Sequence, residues 1–212
     1  MTIACVLRSG GDFRPEHVQW LARQVPGLVC LSDVDVPGVK TIPLLHHWPG
    51  WWAKMNMFGP SLSGDVLMLD LDTVVLRLPE LPGETTVLRD FTQPDIMGSG
   101  LMYVTEADRQ RVWEAWMADP DGHMAANSQW PRLGDQGFLQ DHIGHCQKWQ
   151  DIAEVYSYKV HCQNGAPSDA EVVCFHGRPK MLSSRSLAIP GLADDTGCTG
   201  GSCSSTRIMT RW

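Results

Sequence analysis

No stretch of eighteen or more apolar residues occurs in the 212-residue chain, so no segment is expected to span a membrane. The opening residues lack the basic region, long apolar core and small-residue cleavage site of a secretory signal and read directly into strand-like sequence, which leads us to expect a cytoplasmic protein. Positive charge is in short supply: 17 Lys and Arg face 24 Asp and Glu, for a net charge of −7. That balance removes the general attraction on which nonspecific nucleic-acid binding relies, although a local basic rim would still be compatible with it. The spacing of a disulfide framework is missing as well. The seven cysteines are odd in number and irregularly placed, and Cys5, Cys30 and Cys174 lie in apolar runs where cysteine acts as a small hydrophobe. Neither His142, His145, Cys146, His161 and Cys162 nor the Cys198 and Cys203 pair has the spacing of a structural zinc site. No internal repeat is visible.

What the chain does contain is an ordinary globular composition, 43% hydrophobic and 19% charged, enough for one domain with a sizeable core. Ile3 to Leu7 reads as a strand, and Val18, Leu21, Ala22 and Val25 recur at helical spacing behind Pro15. Leu28 to Leu31 is a second strand and Lys40 to Leu44 a short third. This opening predicts an α/β fold with a mostly parallel central sheet flanked by helices and ligands at the carboxyl ends of its strands. Trp51 to Phe58 reads as a helix with Trp52, Met55 and Phe58 on one side, stopped by Gly59 and Pro60. Asp65 to Leu69 is a continuous apolar run of the kind buried on both faces of a sheet. Further strands are expected at Thr86 to Leu88, Leu101 to Val104 and Val172 to Phe175, and helices at Ala107 to Met117 and Asp135 to Ile143. The connection from Asp119 to Arg132 reads as a loop. Residues 1–182 are therefore expected to form a single domain, and residues 183–212, rich in Ser, Gly, Thr and Asp, a flexible tail.

The segment that carries chemistry is Gly64 to Thr73. Asp70 and Asp72 stand one residue apart at the end of its apolar strand, and in extended backbone such side chains point the same way, so both can reach one cation. Hard oxygen ligands of this kind suit magnesium or manganese bound jointly with a diphosphate, whose developing charge must be stabilised if it is to leave. Two other readings fit the motif alone. It could be a solvated loop, or the Asp-x-Asp of a haloacid dehalogenase-like phosphatase, with Asp135 imitating a second metal-binding aspartate. That superfamily carries its motif on the first strand, whereas about two strands and two helices precede it here.

Six blocks in order resemble glycosyltransferase family eight, the retaining group that includes glycogenin and bacterial lipopolysaccharide galactosyltransferases, together with short phage and prophage relatives. They are Leu7 to Phe13, Trp52-Ala53-Lys54, Leu69 to Thr73, Gly98 to Val104, Leu133 to Leu139, and Val173 to Lys180 with its His-x-Gly-x-x-Lys pattern. The resemblance spans roughly residues 1–181. It implies a single GT-A (Rossmann-like) domain that moves a hexose from a nucleotide-sugar, a UDP-sugar by preference, to an acceptor hydroxyl with retention of configuration. It implies further that Asp70, Asp72 and His176 hold Mn2+ or Mg2+, and that Arg8, Asp12, Phe13, Lys54, Leu71, Gly177 and Lys180 contact the nucleotide and its diphosphate. Asp90, Ser99 and Gly100 would contact the sugar, while Asp135 would bind sugar hydroxyls and Gln136 would lie near the anomeric centre. Ser99 stands where the family usually has asparagine, and Phe13 where it usually has tyrosine, so the identity of the sugar does not carry over. A glycan, a protein or a modified DNA base all remain open as acceptor. A module that binds nucleotide-sugar without turnover is a further alternative, against which the intact set Asp70, Asp72, Asp135 and His176 argues. Trp48, Trp51 and Trp52 form a cluster for which packing is the default role.

Overall fold

The structure is a computed structural model that describes residues 1–130 and 132–177. Lys180 and the expected tail at 183–212 lie outside the described residues. In chain order the elements begin with β1 (Thr2–Leu7), α1 (Pro15–Gln24), β2 (Val29–Ser32) and β3 (Lys40–Pro43). A 3-10 helix, Gly50–Phe58, then leads to β4 (Val66–Leu69), β5 (Thr73–Val75), β6 (Thr86–Arg89) and β7 (Met97–Val104). Next come α2 (Glu106–Ala118), α3 (Pro120–Ala126), the two-residue strands β8 (Ser128–Gln129) and β9 (Arg132–Leu133), and α4 (Asp135–His142). β10 (Gln147–Lys148), β11 (Val155–Ser157), α5 (Tyr158–His161) and β12 (Val172–Cys174) complete the described chain.

The central sheet has seven strands in the order β10-β6-β7-β4-β1-β2-β3. β3, β2, β1 and β4 run parallel, as the βαβ opening predicts, whereas β7 is antiparallel to both β4 and β6. The helix α1 forms where sequence places it. Proline at its first position gives up no needed N–H, and Val18 and Leu21 are fully buried beneath it. All four residues of β4 are buried, in keeping with an apolar run between two layers. Its alternation divides the core, because Val66 and Met68 face a cluster with Met55, Phe58, Trp116 and Phe138, while Leu67 and Leu69 face one with Leu7, Val18, Leu21 and Trp149.

Three elements depart from the sequence reading. The 3-10 helix is buried on every side from Trp52 to Phe58, not along one stripe. The connection expected as a loop from Asp119 contains α3, capped by the Asp119 carboxylate on the Gly122 N–H at 3.0 Å, and the β8–β9 hairpin. The strand at Val172 joins a second sheet, ordered β11-β12-β5, instead of the central one. A buried cation also went unforeseen: Arg109, 2% exposed, donates to the carbonyls of Phe58, Gly59 and Leu62 and so satisfies the end of the 3-10 helix. Among the described residues, no helix is long and apolar enough to cross a membrane.

Candidate active site

The acidic motif bridges the two sheets. The chain leaves the central sheet at Leu69, passes Asp70, Leu71 and Asp72, and enters the second sheet at Thr73. Main-chain pairing then brings in the last block: Thr73 is in register with Cys174, and the Phe175 N–H donates to the Asp72 carbonyl at 2.8 Å. His176 is thus delivered beside the motif by backbone hydrogen bonds, over about a hundred residues of sequence.

A cavity of about 760 Å³ opens at this junction. Every expected site residue within the described chain lines it: Arg8, Asp12, Phe13, Lys54, Asp70, Leu71, Asp72, Asp90, Ser99, Gly100, Asp135, Gln136, His176 and Gly177. The first three come from the loop after β1, Lys54 from the 3-10 helix, Asp90 from the end of β6, Ser99 and Gly100 from β7, and Asp135 and Gln136 from the first turn of α4.

At the floor of the cavity Lys54, 5% exposed, is held by five oxygens. Its Nζ stands 2.8 Å from Asp70 Oδ1, 3.0 Å from Asp70 Oδ2 and 3.1 Å from Asp135 Oδ2. It also donates to the Ser99 carbonyl at 3.1 Å and to Ser99 Oγ at 2.9 Å. Ser99 Oγ in turn donates to Asp135 Oδ2 at 2.7 Å, so serine where asparagine was expected closes a network linking Lys54 and Asp135. Burial opposes the ammonium charge, but Asp135 and Asp70 outweigh it and hold Lys54 above its ordinary value. Burial pushes the Asp70 carboxyl up to about 6; Lys54 pulls against that, while the charges of Asp72 and Asp135 add to it.

Several of the other site residues are also engaged. His176 Nε2 shares a 2.7 Å hydrogen bond with the buried Ser157 hydroxyl, and its ring stacks on Phe91 at 5.5 Å between centroids. Burial, then the charge of Lys159, lowers the imidazole below its ordinary value, opposed by Asp90 and Asp72. Arg8 pairs with Asp33, a residue at the end of β2 that the sequence reading overlooked, and Asp33 also accepts from the Ser9 N–H at 2.8 Å. Asp90 closes its own turn, accepting from the Thr92 N–H and hydroxyl, both at 2.8 Å, and from the Gln93 N–H at 2.9 Å. Asp135, 5% exposed, follows Gly134, whose φ of +74° favours glycine.

Asp70, Asp72 and His176 surround one cavity, yet among the described residues no three His, Cys, Asp or Glu side chains stand as a ready metal cluster. Asp70 is occupied by Lys54 and His176 by Ser157. The tryptophans divide: Trp48 and Trp52 pack against Trp116, each at 5.2 Å, whereas Trp51 is 53% exposed and lines the cavity. Cys174 and Phe91 line it too; neither carried a sequence signal for doing so.

No protein-family model matches the chain, and no curated protein matches it in sequence. Among solved structures it is similar to the glycosyltransferase GlyE of Streptococcus pneumoniae TIGR4, with a TM-score of 0.54 and 12% identity over 84% of this chain and 55% of that one. The apo form of GlyE gives a TM-score of 0.49 and 11% identity over the same shares. The chain spans about half the length of these structures. At such identity the likeness is one of fold: a mixed α/β domain with a seven-stranded central sheet, resembling that of a glycosyltransferase.

Proposed function

We propose that the chain is a metal-dependent glycosyltransferase that moves a hexose from a nucleotide-sugar, a UDP-sugar by preference, to an acceptor hydroxyl with retention of configuration. The observation that carries this reading is convergence. Six sequence blocks, spread from Leu7 to Gly177, meet at one cavity at the carboxyl ends of β1 and β4, where parallel α/β sheets bind their ligands. Its volume, about 760 Å³, suits a small-molecule ligand of nucleotide-sugar size.

Asp70, Asp72 and His176 would hold the cation, Mn2+ or Mg2+; two carboxylates and an imidazole form a suitable donor set. Once bound, it would offset charge on the departing diphosphate. The protein's own groups do the rest. The loop with Asp12 and Phe13 borders the nucleotide, and Asp135, held by Lys54 and Ser99, accepts from sugar hydroxyls. Gln136, next along the first turn of α4, faces the same space. Lys54 holds Asp70 and Asp135 together at the cavity and offsets negative charge at a place where either alone would be costly.

A haloacid dehalogenase-like phosphatase carries its Asp-x-Asp on the first strand, whereas here the motif follows β4, with β1, β2 and β3 before it. Calorimetric titration of UDP with and without Mn2+ tests the proposal. Tighter binding with the metal is expected, and loss of that gain in Asp72→Ala or His176→Ala; equal UDP affinity with and without metal in the unmutated protein would sink it.

A further inference from the structure

We infer that Trp51 is the platform on which the acceptor is bound, and that the acceptor is a glycan whose terminal sugar ring stacks on the exposed indole. This deepens the transferase reading and rests on it for the identity of the neighbouring donor site.

Trp51 is anomalous within its own element. The seven residues that follow it, Trp52 to Phe58, are all buried, while Trp51 is 53% exposed. It is not loosely placed. A Cβ built on Gly134 would fall 2.6 Å from Trp51 Nε1, 2.8 Å from Cδ1 and 2.9 Å from Cε2. The indole edge is therefore seated against a glycine at positive φ, and Gly134 is the residue immediately before Asp135 and Gln136. The seat places the ring next to the segment that carries Asp135 and Gln136, the proposed sugar-binding pair, and Trp51 lines the same cavity as they do.

Pro49 and Gly50, which precede the indole in the chain, and Leu133, which precedes Gly134 and is 43% exposed, are uncharged and line the same cavity. A rigid aromatic and an apolar shelf next to a polar floor are unfavourable to leave bare, and they match a ligand with one apolar face and polar edges. A pyranose has that character, since its axial C–H groups carry slight positive charge and are drawn to the negative face of an indole, while its hydroxyls remain free at the ring edge. A nucleobase could also stack, but a nucleic acid would bring its repeated phosphate charges to a chain of net charge −7.

The test uses the full chain, with UDP and Mn2+ present or absent, and methyl α-glucoside, methyl β-galactoside and maltose as probes in saturation-transfer NMR. At least one glycoside should receive saturation on its ring-face protons. Trp51→Ala should weaken that binding about fivefold to tenfold and Trp51→Phe less, with UDP affinity and thermal midpoint unchanged in both. An undiminished glycoside affinity in Trp51→Ala overturns the inference, as does the absence of any signal in the parent protein. So does a Trp51-dependent signal from a hydroxymethyl-pyrimidine oligonucleotide in place of the glycosides. Failure of the parent to bind UDP refutes the donor site instead, because the glycoside signal is read without UDP as well.

Discussion

Replacing Lys54 with methionine keeps most of the side-chain volume on the 3-10 helix and removes only the ammonium group. Five oxygen contacts disappear with it, leaving Asp135 and Asp70, with side chains 8% and 30% exposed, facing each other without a cation. Breaking a buried ion pair from one side typically costs about 3–5 kcal/mol. The partial exposure of Asp70, and its capacity to take up a proton, place the expected loss near the lower end, about 3 kcal/mol. For a domain of this size that lowers the melting midpoint by about 6–12 °C. The sign of the pH dependence follows from Asp70, whose folded-state value is raised to about 6 even with Lys54 present. A carboxyl raised on folding burdens the fold only when ionised, so the burden is absent below its unfolded value and grows as pH rises through the folded one. Without Lys54 the folded value rises further, and the gap between parent and variant should widen from about pH 5 to about pH 8. Asp70→Asn added to Lys54→Met should recover part of the loss. Urea unfolding followed by tryptophan fluorescence measures all three proteins. A gap below about 1 kcal/mol, or one equal at both ends of the pH range, would refute the electrostatic account of this cluster.

Two further substitutions probe the scaffold at the far end of β4 and the seat of the indole. Tyr103→Phe removes the hydroxyl that donates to Asp65 Oδ2 at 2.6 Å, the main cause holding that carboxyl below its ordinary range; a loss of about 1–2 kcal/mol is expected near neutral pH. A lowered carboxyl stabilises the fold above its unfolded value, so the difference should fade as denaturation is measured below about pH 4, and a difference constant with pH would count against it. Gly134→Ala forces a side chain into left-handed backbone and into the Trp51 indole, and should cost about 2 kcal/mol in urea unfolding. It should also displace Trp51 and weaken glycoside binding; an unchanged NMR signal would contradict the seating of the indole.

The parts of the fold legible in sequence are those whose burial is one-sided or complete over a long enough run. Val66 to Leu69 is apolar throughout because β4 lies between two layers, and α1 shows its stripe because one face meets the sheet. The second sheet was hidden for the opposite reason. β5 and β11 have three residues each, too few to display a period, and β5 begins directly after the acidic motif with no turn residue to mark the change; β12 was legible as a strand, but nothing in it tells which sheet it joins. Helix α3 was lost because it buries no residue, leaving no apolar stripe to read.

The candidate site divides along a similar line. Residues identified by ordered blocks meet at one cavity because the fold fixes the element that carries each block, and the order of the blocks survives in one dimension. Partnerships do not. Nothing in the neighbourhood of Arg8 announces Asp33, and nothing near His176 announces Ser157, since each pair is made by strands adjacent in space: β1 with β2, and β11 with β12. These hidden partners alter the chemistry that the blocks suggest. Asp70 and His176 each make a specific bond before any ligand is bound, so loading a cation on them must compete with Lys54 and Ser157, as well as with water. Cation affinity in the absence of nucleotide should accordingly be weak, and the diphosphate oxygens would supply what the protein donors withhold. This coupling is the physical reason to titrate UDP and metal together and not separately.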